Sequence, residues 1–229
     1  MNKLNTGSSL CEEPLFTLKD ADIEAGNRLL IENCSLTLHP NDRFALMGSS
    51  GIGKTTLLRV IAGILPPASG KFSRNGSVSM VFDQDGLYPD LSARTNIELG
   101  IPWTQSNKTT RQQLAAKWGE FFGCDDFLDQ KVSTLSAGQR KRVGLARALM
   151  KEPKILLLDE TFHALDPSLR LQLQKKVLEL QGRAGFALVM ATHDIREAQG
   201  LQADLLELVE DEQTGISHLI VQKDATKTA

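Results

Sequence analysis

The first sixty residues change from an alternating pattern of hydrophobic and polar positions to a helical one. Residues 15–23 and 29–38 alternate as two antiparallel strands, joined by a turn at Gly26-Asn27. A short apolar strand is predicted at 43–47, and residues 54–62 then place apolar side chains at helical spacing. The chain is therefore predicted to begin with a hairpin, followed by a strand that leads directly into a helix.

The rest of the chain continues to alternate between strand-length and helix-length segments. Strands are predicted at 71–74, 77–82, 155–158, 186–191, 205–209 and 216–221, and helices at 137–150, 167–181 and 194–201. Residues 90–152 carry no strong β pattern, and Leu114, Trp118 and Phe121 lie at helical spacing, which favours a helical subdomain with Trp118 in its core. This alternation is typical of a parallel or mixed sheet wrapped by helices.

Charge and composition then narrow the classes of function. Lys and Arg number 26 against 28 Asp and Glu, so a net charge of −2 lacks the basic excess with which nucleic-acid binders neutralise phosphates. The apolar runs are far shorter than the roughly 20 residues that span a bilayer. The N-terminus has no apolar region of the kind found in signal peptides. We therefore expect a cytosolic protein, with no nucleic acid among its partners.

Three cysteines add no metal site or disulfide framework to this picture. Cys11, Cys34 and Cys124 are widely separated and lack the spacing of zinc ligands. We expect them to be buried or idle thiols.

One glycine-rich run connects the predicted strand at 43–47 to the helix at 54–62. It reads Gly48-Ser49-Ser50-Gly51-Ile52-Gly53-Lys54-Thr55-Thr56 and satisfies the pattern G-x-x-x-x-G-K-[ST]. Backbone N–H groups and a helix N-terminus attract phosphate. Lys54 would reach the β- and γ-phosphates, Thr55 would ligate Mg²⁺, and Thr56 would donate to the α-phosphate. The run predicts nucleotide binding, but many unrelated phosphate-handling enzymes share it.

Two later segments carry further candidate chemistry. Ser136 stands before the predicted helix at 137–150, as an ordinary N-cap or as part of a second anion seat. The buried strand at 155–158 ends in Asp159 and Glu160, and ligands bind at the carboxyl ends of strands in α/β sheets. There Asp159 would hold Mg²⁺ through water, and Glu160 would act as the general base on the attacking water.

Taken in order, the segments GSSGIGKTT, LSAGQRKRVGLARAL, ILLLDETFHALD and ATHD resemble the motifs of ATP-binding cassette (ABC) ATPases, from about Phe16 to Val209. The resemblance implies an α/β fold: a P-loop NTPase (RecA-like) core with an antiparallel β subdomain and an inserted α-helical subdomain. The whole chain, 1–229, would be one such domain, with its core at about 15–89 and 153–221, the helical subdomain at about 90–152 and a polar tail at 222–229. ATP and Mg²⁺ would be the cofactors.

The same resemblance implies that two cassettes pair head to tail around ATP. Ser136, Gly138 and Gln139 of one copy would contact the γ-phosphate held by the other, and Asp166 would communicate across the interface. His193 is similar to the family's switch histidine, which contacts the γ-phosphate and orients water. The implied catalytic set is then Lys54, Glu160 and His193, whereas His39, His163 and His218 match no family role and are expected at the surface.

The sequence departs from the family's pattern at the loop that joins core and helical subdomain. Counting back from Pro89, the family's glutamine falls on Asp83, with Gln84 one place later. Either a carboxylate faces Mg²⁺, or a one-residue bulge restores the amide. We favour Asp83, because an oxygen ligand suits Mg²⁺ and the flanking spacing needs no bulge. The predicted metal ligands are therefore Thr55, Asp159 and Asp83.

A second departure concerns the adenine base. The position at which the family places a stacking aromatic ring is occupied by Ala25, and Arg28 is the candidate substitute, through guanidinium stacking. We therefore predict modest discrimination between ATP and GTP. Smaller changes are Thr161 where the family favours Pro and Ala137 for the usual Gly.

The resemblance favours one function over two alternatives. The chain would be the ATP-hydrolysing subunit of a transporter, similar to bacterial importer or small exporter cassettes, pairing through its Leu87-Asn96 region with a permease at the cytoplasmic face of the membrane. It would act as a homodimer or with a paired cassette. The alternatives are a soluble ABC ATPase acting on ribosomes or DNA, and a weakly hydrolysing nucleotide sensor.

Overall fold

A computed structural model describes residues 13–82, 86–101, 104, 106–163 and 165–222. Its strands and α-helices, in chain order, are β1 Phe16–Ala25, β2 Arg28–Leu38, β3 Arg43–Met47, α1 Lys54–Ala62, β4 Lys71–Arg74, β5 Val78–Val81, α2 Ala93–Glu98, α3 Lys108–Phe122, α4 Ala137–Leu149, β6 Ile155–Asp159, α5 Pro167–Ala184, β7 Ala187–Ala191, α6 Ile195–Gly200, β8 Asp204–Glu210 and β9 Ser217–Gln222. The predicted strands are all found, with ends that differ by a few residues at most.

These strands form a nine-stranded mixed sheet in the order β4-β1-β2-β9-β8-β3-β7-β6-β5. The strands from β8 to β5 run parallel to one another, while β1 pairs antiparallel with both β2 and β4. The link between the two parts is β9, which runs antiparallel to β8 and meets β2 in parallel at Ile31 and Ser217. The α/β fold class predicted from the sequence is therefore confirmed.

The two central strands of the parallel part show why it needs helices on both faces. Every residue of β6 and β7 is buried, and both strands are nearly continuous apolar runs. Buried apolar residues pack on the two sides of the sheet as separate clusters. One cluster includes residues of α2 to α5, and the other includes residues of α1 and of the β1–β2 hairpin. This burial fixes the register in which β6 and β7 end, and thus the positions of the residues that follow them.

The helical region between β5 and β6 has clear local start signals. Asn107 caps α3 by accepting a hydrogen bond from the Thr110 amide at 2.9 Å, and Ser92 caps the short α2 in the same way. Trp118 stacks on Phe122 with ring centroids 6.4 Å apart and packs against the apolar cluster, as the predicted core stripe requires. The division of the chain at residues 90 and 152 into core and helical subdomain stays a prediction.

In the described part of the chain, no helix is both long and apolar enough to cross a membrane. Cys34 and Cys124 are buried and free, and burial raises the pKa of each thiol to about 12. Both are therefore inert thiols, as predicted, while Cys11 lies outside the described residues.

Candidate functional site

The glycine-rich run forms the loop between β3 and α1. Gly53 is the residue before α1 and has a φ of 116°, in a region that side chains strongly disfavour. Gly48 has a φ of 147°, and a Cβ added there would lie 3.0 Å from the Ile52 side chain and 3.1 Å from the Leu208 carbonyl oxygen. Both positions require glycine. The two glycines allow the backbone to turn between β3 and α1, so that the loop's N–H groups lie beside the N-terminus of α1.

The tip of the loop is exposed, and its base is held by a hydrogen bond from the sheet. Ser49, Ser50 and Gly51 are exposed, whereas Ile52 is buried and its carbonyl oxygen accepts a hydrogen bond from the Ser217 hydroxyl at 3.3 Å. Ser217 is the first residue of β9, so the end of the sheet supports the loop. The backbone at the tip is thus open to a ligand while its base is held in place.

Lys54 lies inside this loop. Its side chain is buried, and its Nζ donates to the carbonyl oxygens of Gly48 and Ser49, both at 2.9 Å. A buried ammonium group whose described contacts are two loop carbonyls is well placed to meet an anion held by the same loop. Thr56, predicted to reach the α-phosphate, lies half-buried in the first turn of α1.

Thr55 connects the loop to the end of β6. Its hydroxyl donates to Asp159 Oδ1 at 3.0 Å, although the two residues are 104 positions apart in the sequence. Asp159 is buried at the last position of β6. A hydroxyl and a carboxylate oxygen beside a phosphate loop are the donor set that Mg²⁺ prefers, so these two residues fit the predicted metal.

The residues that follow β6 and β7 lie side by side. Asp159 pairs with Ala191 in the parallel register, and the amide of Glu160 donates to the Ala191 carbonyl at 3.0 Å. Glu160 has a φ of 43° and a side chain that is 29% exposed, with Oε1 lying 3.8 Å from Nδ1 of His193. The register of two buried strands thus brings the predicted base and the predicted switch histidine together.

Two residues near Glu160 were not assigned a role from the sequence. His163 is exposed, as predicted, but its ring centroid lies 4.7 Å from that of His193. Thr161 is fully buried, and within the described residues its hydroxyl has no hydrogen-bond partner. A sequence signal for the first contact was available, because His163 belongs to the segment DETFHALD next to the carboxylates.

Asp194, the residue after His193, caps the start of α6. Its carboxylate accepts a hydrogen bond from the Arg196 amide at 2.9 Å. The Arg196 side chain also donates to it, and this bond chiefly lowers the pKa of Asp194 to about 2, with Arg170 adding a smaller charge effect. Asp194 is therefore ionised throughout the neutral range, and the turn that carries His193 is bordered by a fixed negative charge.

Ser136 and Gln139 form a capping box at the start of α4. The Gln139 amide donates to the Ser136 hydroxyl at 3.2 Å, and the Ser136 amide donates to Gln139 Oε1 at 2.8 Å. Ser136 is exposed, and Gly138 follows in the first turn, facing the Leu169 side chain. This arrangement presents a helix N-terminus on the surface in a fixed conformation.

Asp166 is a second exposed cap, at the start of α5. It accepts hydrogen bonds from the Ser168 hydroxyl at 2.7 Å and from the Leu169 amide at 2.9 Å. The Ser168 bond is the main cause that lowers the pKa of Asp166. The turn predicted to communicate between two copies is therefore ordered in a single chain.

The remaining predicted residues are Asp83, Gln84, Ala25 and Arg28. Asp83 and Gln84 lie outside the described residues, so the choice between them stays a prediction. Ala25 and Arg28 are exposed on either side of the β1–β2 turn, where both are accessible to a ligand.

The Leu87-Asn96 region borders a surface groove of about 480 Å³. Buried Asn96 fixes the start of this region, because it accepts from the Tyr88 amide at 2.8 Å and donates to the Tyr88 carbonyl at 3.0 Å. The groove combines apolar and basic side chains, among them exposed Ile64, Tyr88 and Lys151 and half-buried Phe82 and Arg147. A large aromatic ring is thus held on the surface by a buried amide.

Comparison with known proteins gives a consistent family assignment. Residues 31–163 match the family model described as ABC transporter. The chain is 38% identical, over 85% of its length, to the aliphatic sulfonates import ATP-binding protein of Mycobacterium avium, and covers 77% of that protein. It is 35% identical, over 81% of its length, to the putrescine transport ATP-binding protein of Escherichia coli. The chain spans only about half of the latter, 52% of its length.

A solved structure supports the fold assignment. The ATP-binding cassette MJ0796, described as a dimer in a post-hydrolysis state with ADP and Pi, matches with a TM-score of 0.79 over 91% of this chain and 99% of the other. The sequence identity is 24%, so this match is evidence for the fold alone.

Proposed function

This chain belongs to the ABC transporter ATP-binding family, and from that premise we propose that it binds ATP with Mg²⁺, hydrolyses it and drives a membrane permease. The single observation that carries this proposal is the 3.0 Å hydrogen bond between Thr55 and Asp159. It joins the phosphate loop to the strand end that also supplies Glu160, so binding and hydrolysis would share one edge of the sheet.

Nucleotide binding rests on the loop and its lysine. The backbone of residues 48–53 would surround the β-phosphate, with Lys54 leaving its two loop carbonyls to contact the β- and γ-phosphates. Thr55 and Asp159 would hold Mg²⁺, directly and through water. When bound, Mg²⁺ neutralises negative charge on the phosphate oxygens. Because Ala25 offers no aromatic ring, the adenine base would bind weakly. The exposed guanidinium group of Arg28, across the β1–β2 turn from Ala25, would stack on the base instead.

Hydrolysis rests on the carboxylate and the histidine. Glu160 would accept the proton of the attacking water, and the nearby His193 would orient that water and contact the γ-phosphate. The partly exposed Glu160 is accessible to water, whereas the buried Asp159 accepts a hydrogen bond from Thr55. The two adjacent carboxylates therefore have environments that suit two different roles.

The second half of each site would come from another copy of the chain or a paired cassette. Ser136, Gly138 and Gln139 are ordered at an exposed helix start, the geometry that binds anions. Closure of two copies around ATP and their separation after hydrolysis would give nucleotide-dependent states with different affinities.

The permease would dock on the groove beside Leu87-Asn96. Exposed Tyr88 and Ile64 supply apolar area, and Arg147 and Lys151 add positive charge, which suits a short amphipathic helix of a membrane partner. The chain would then lie at the cytoplasmic face of the membrane. The import functions named for its relatives favour an importer, with a cargo chosen by other subunits.

The proposal is tested by the nucleotide dependence of turnover. Purified chain should release phosphate from ATP only with Mg²⁺, and Glu160→Gln should lower the rate about 100-fold or more without weakening ATP binding. A conservative exposed change, Glu179→Gln, serves as the control. Turnover of Glu160→Gln at the parental rate would contradict the assignment.

A further inference from the structure

Arg170 lies in the first part of α5 and reaches across to α6. Its Nη1 is 3.2 Å from Asp194 Oδ2 and 3.7 Å from Glu197 Oε1. The three side chains are 17%, 15% and 1% exposed. Arg170 is thus the cation that accompanies a buried carboxylate, and removal of such a partner is strongly unfavourable.

The same buried carboxylate is tied to the residue before His193. Glu197 Oε2 accepts a hydrogen bond from the Thr192 hydroxyl at 2.7 Å. That hydroxyl oxygen in turn accepts from the Asp194 amide at 3.0 Å. Both residues that flank His193 are therefore fixed by one network, and α5 supplies its cation.

A third set of contacts strengthens the link to α5. Gln174, one turn after Arg170, donates from Nε2 to the Glu197 carbonyl at 3.2 Å. At the other end, the Arg170 amide donates to the Asp166 carbonyl at 3.0 Å in the first turn of α5. Arg170 is thus bonded both to the turn that carries Asp166 and to the turn that carries His193.

The His193 ring itself has little that could fix it. Its side chain is 50% exposed, and its described interactions are with Glu160 Oε1 at 3.8 Å and with the His163 ring at a centroid distance of 4.7 Å. Neither is a close hydrogen bond. The position of the imidazole is consequently set by its backbone, which the buried network holds.

We propose that Arg170 is a positioning residue: through Asp194 and Glu197 it holds the turn that carries His193 against α5, and it joins that turn to the turn of Asp166. The kinetic consequence of this inference rests on the proposed function, in which His193 orients the attacking water. Its structural content, the placement of the imidazole, does not depend on that function.

The kinetic test compares two arginines that bind the same carboxylate. Arg196 also donates to Asp194, at distances of 2.8 to 3.2 Å, but its side chain is 74% exposed and none of its described bonds reaches Glu197. Arg170→Met should lower kcat about tenfold and leave KM for ATP within about twofold. Arg196→Met should leave both within about twofold, and Arg170→Lys should restore part of the loss.

A double variant separates positioning from a general structural role. In a His193→Ala background, Arg170→Met should have almost no further effect on kcat, because the group that it positions is gone. An equal loss of rate in both backgrounds, or an equal loss from Arg196→Met, would overturn the proposal.

A spectroscopic readout tests the placement without any turnover. The chain has 4 histidines, and the imidazole signals of His193 in a proton–nitrogen NMR spectrum are assigned by their loss in His193→Ala. Arg170→Met should shift or broaden the His193 signals, while Arg196→Met should leave them in place. This result would stand even if the chain hydrolysed no ATP, so the two proposals fail separately.

A second variant keeps the test usable if Arg170→Met does not fold. Thr192→Val removes the hydroxyl that bonds to both Glu197 and the Asp194 amide, while keeping the side-chain shape and the charge pairing of Arg170. It should shift the His193 signals in the same way. Unchanged His193 signals in Thr192→Val, or in a folded Arg170→Met variant, would refute the proposal.

Discussion

The phosphate loop and the start of α4 both present a helix N-terminus, but they are built differently. The loop is bonded to distant parts of the chain: Lys54 lies within it, Thr55 reaches Asp159, and Ser217 supports its base. At the start of α4, Ser136 and Gln139 bond to each other. One region is supported by the whole sheet, while the other is ordered by a local capping box.

This difference suits the two regions to different roles. A site whose cation and carboxylate are already assembled can bind nucleotide in a single chain. An exposed helix start that is fixed by its own cap keeps its shape without a ligand, which is what a surface needs if it completes a site on another copy. Variants of the loop should therefore change binding in the single chain, and variants at Ser136 should not.

The largest effect is expected from Lys54→Ala. Loss of the buried ammonium should weaken ATP binding and lower turnover about 100-fold or more, because a charge-assisted contact to phosphate disappears. Nucleotide affinity from fluorescence titration and phosphate release measure the two quantities. Lys71→Ala, on the exposed strand β4, is the control and should change neither. Unchanged affinity in Lys54→Ala would remove the loop from the account.

The next largest difference is expected between alanine substitutions at Gly53, in the phosphate loop, and at Gly138, at the start of α4. Gly53→Ala forces a side chain to a φ of 116° and brings its Cβ to 3.3 Å from Ile31, so we expect a stability loss of about 1–3 kcal/mol and weaker ATP binding. Gly138→Ala meets only the terminal methyl of Leu169 closely, at 2.7 Å, and lies in a helix that favours Ala. Its stability should change by less than about 1 kcal/mol.

Thermal unfolding with and without ATP distinguishes these cases. A greater loss of stability in Gly138→Ala than in Gly53→Ala would reverse the comparison.

Removal of the Ser136 cap should have a smaller effect on stability and a specific effect on turnover. Ser136→Ala loses a capping bond and should cost about 1 kcal/mol, while the affinity of the single chain for ATP stays the same. Asn107→Ala removes the equivalent cap of α3 and is the matched control. If both variants lose stability and only Ser136→Ala loses turnover, then Ser136 contributes to hydrolysis as well as capping α4. Equal turnover losses would contradict that role.

The smallest effect is expected at Thr161. Because its fully buried hydroxyl has no partner in the described residues, Thr161→Val should stabilise the fold by about 1 kcal/mol, a rise in Tm of about 2–4 °C. Thr192→Val is the opposite case, since that buried hydroxyl is bonded to Glu197 at 2.7 Å, and it should lower Tm. Calorimetry of the two variants measures the difference. A lower Tm for Thr161→Val would show that its hydroxyl is satisfied.

The sequence was most informative where local patterns determine geometry. The strand ending at Met47 and the helix starting at Lys54 have the predicted bounds, because apolar spacing and glycine define them locally. Two motifs and the rule that ligands gather at the carboxyl ends of parallel strands assigned Thr55 and Asp159 to one predicted metal site, and the two side chains are in contact.

Long-range contacts without a motif could not be predicted. The pairing of β9 with β2 joins Ile31 to Ser217 across most of the chain, and no periodicity encodes it. The bond from Arg170 to Asp194 depends likewise on how separate elements pack. Helix α2, which has 6 residues, was not located from the sequence either.

The central claim is that two copies of this chain enclose ATP, and the mass of Glu160→Gln in solution tests it most directly. This variant should bind ATP without consuming it, so light scattering with saturating ATP and Mg²⁺ should give about twice the chain mass of 25.1 kDa, and the single mass with ADP. Adding Ser136→Arg should abolish the doubling and leave ATP affinity intact. A single mass at saturating ATP would contradict the account.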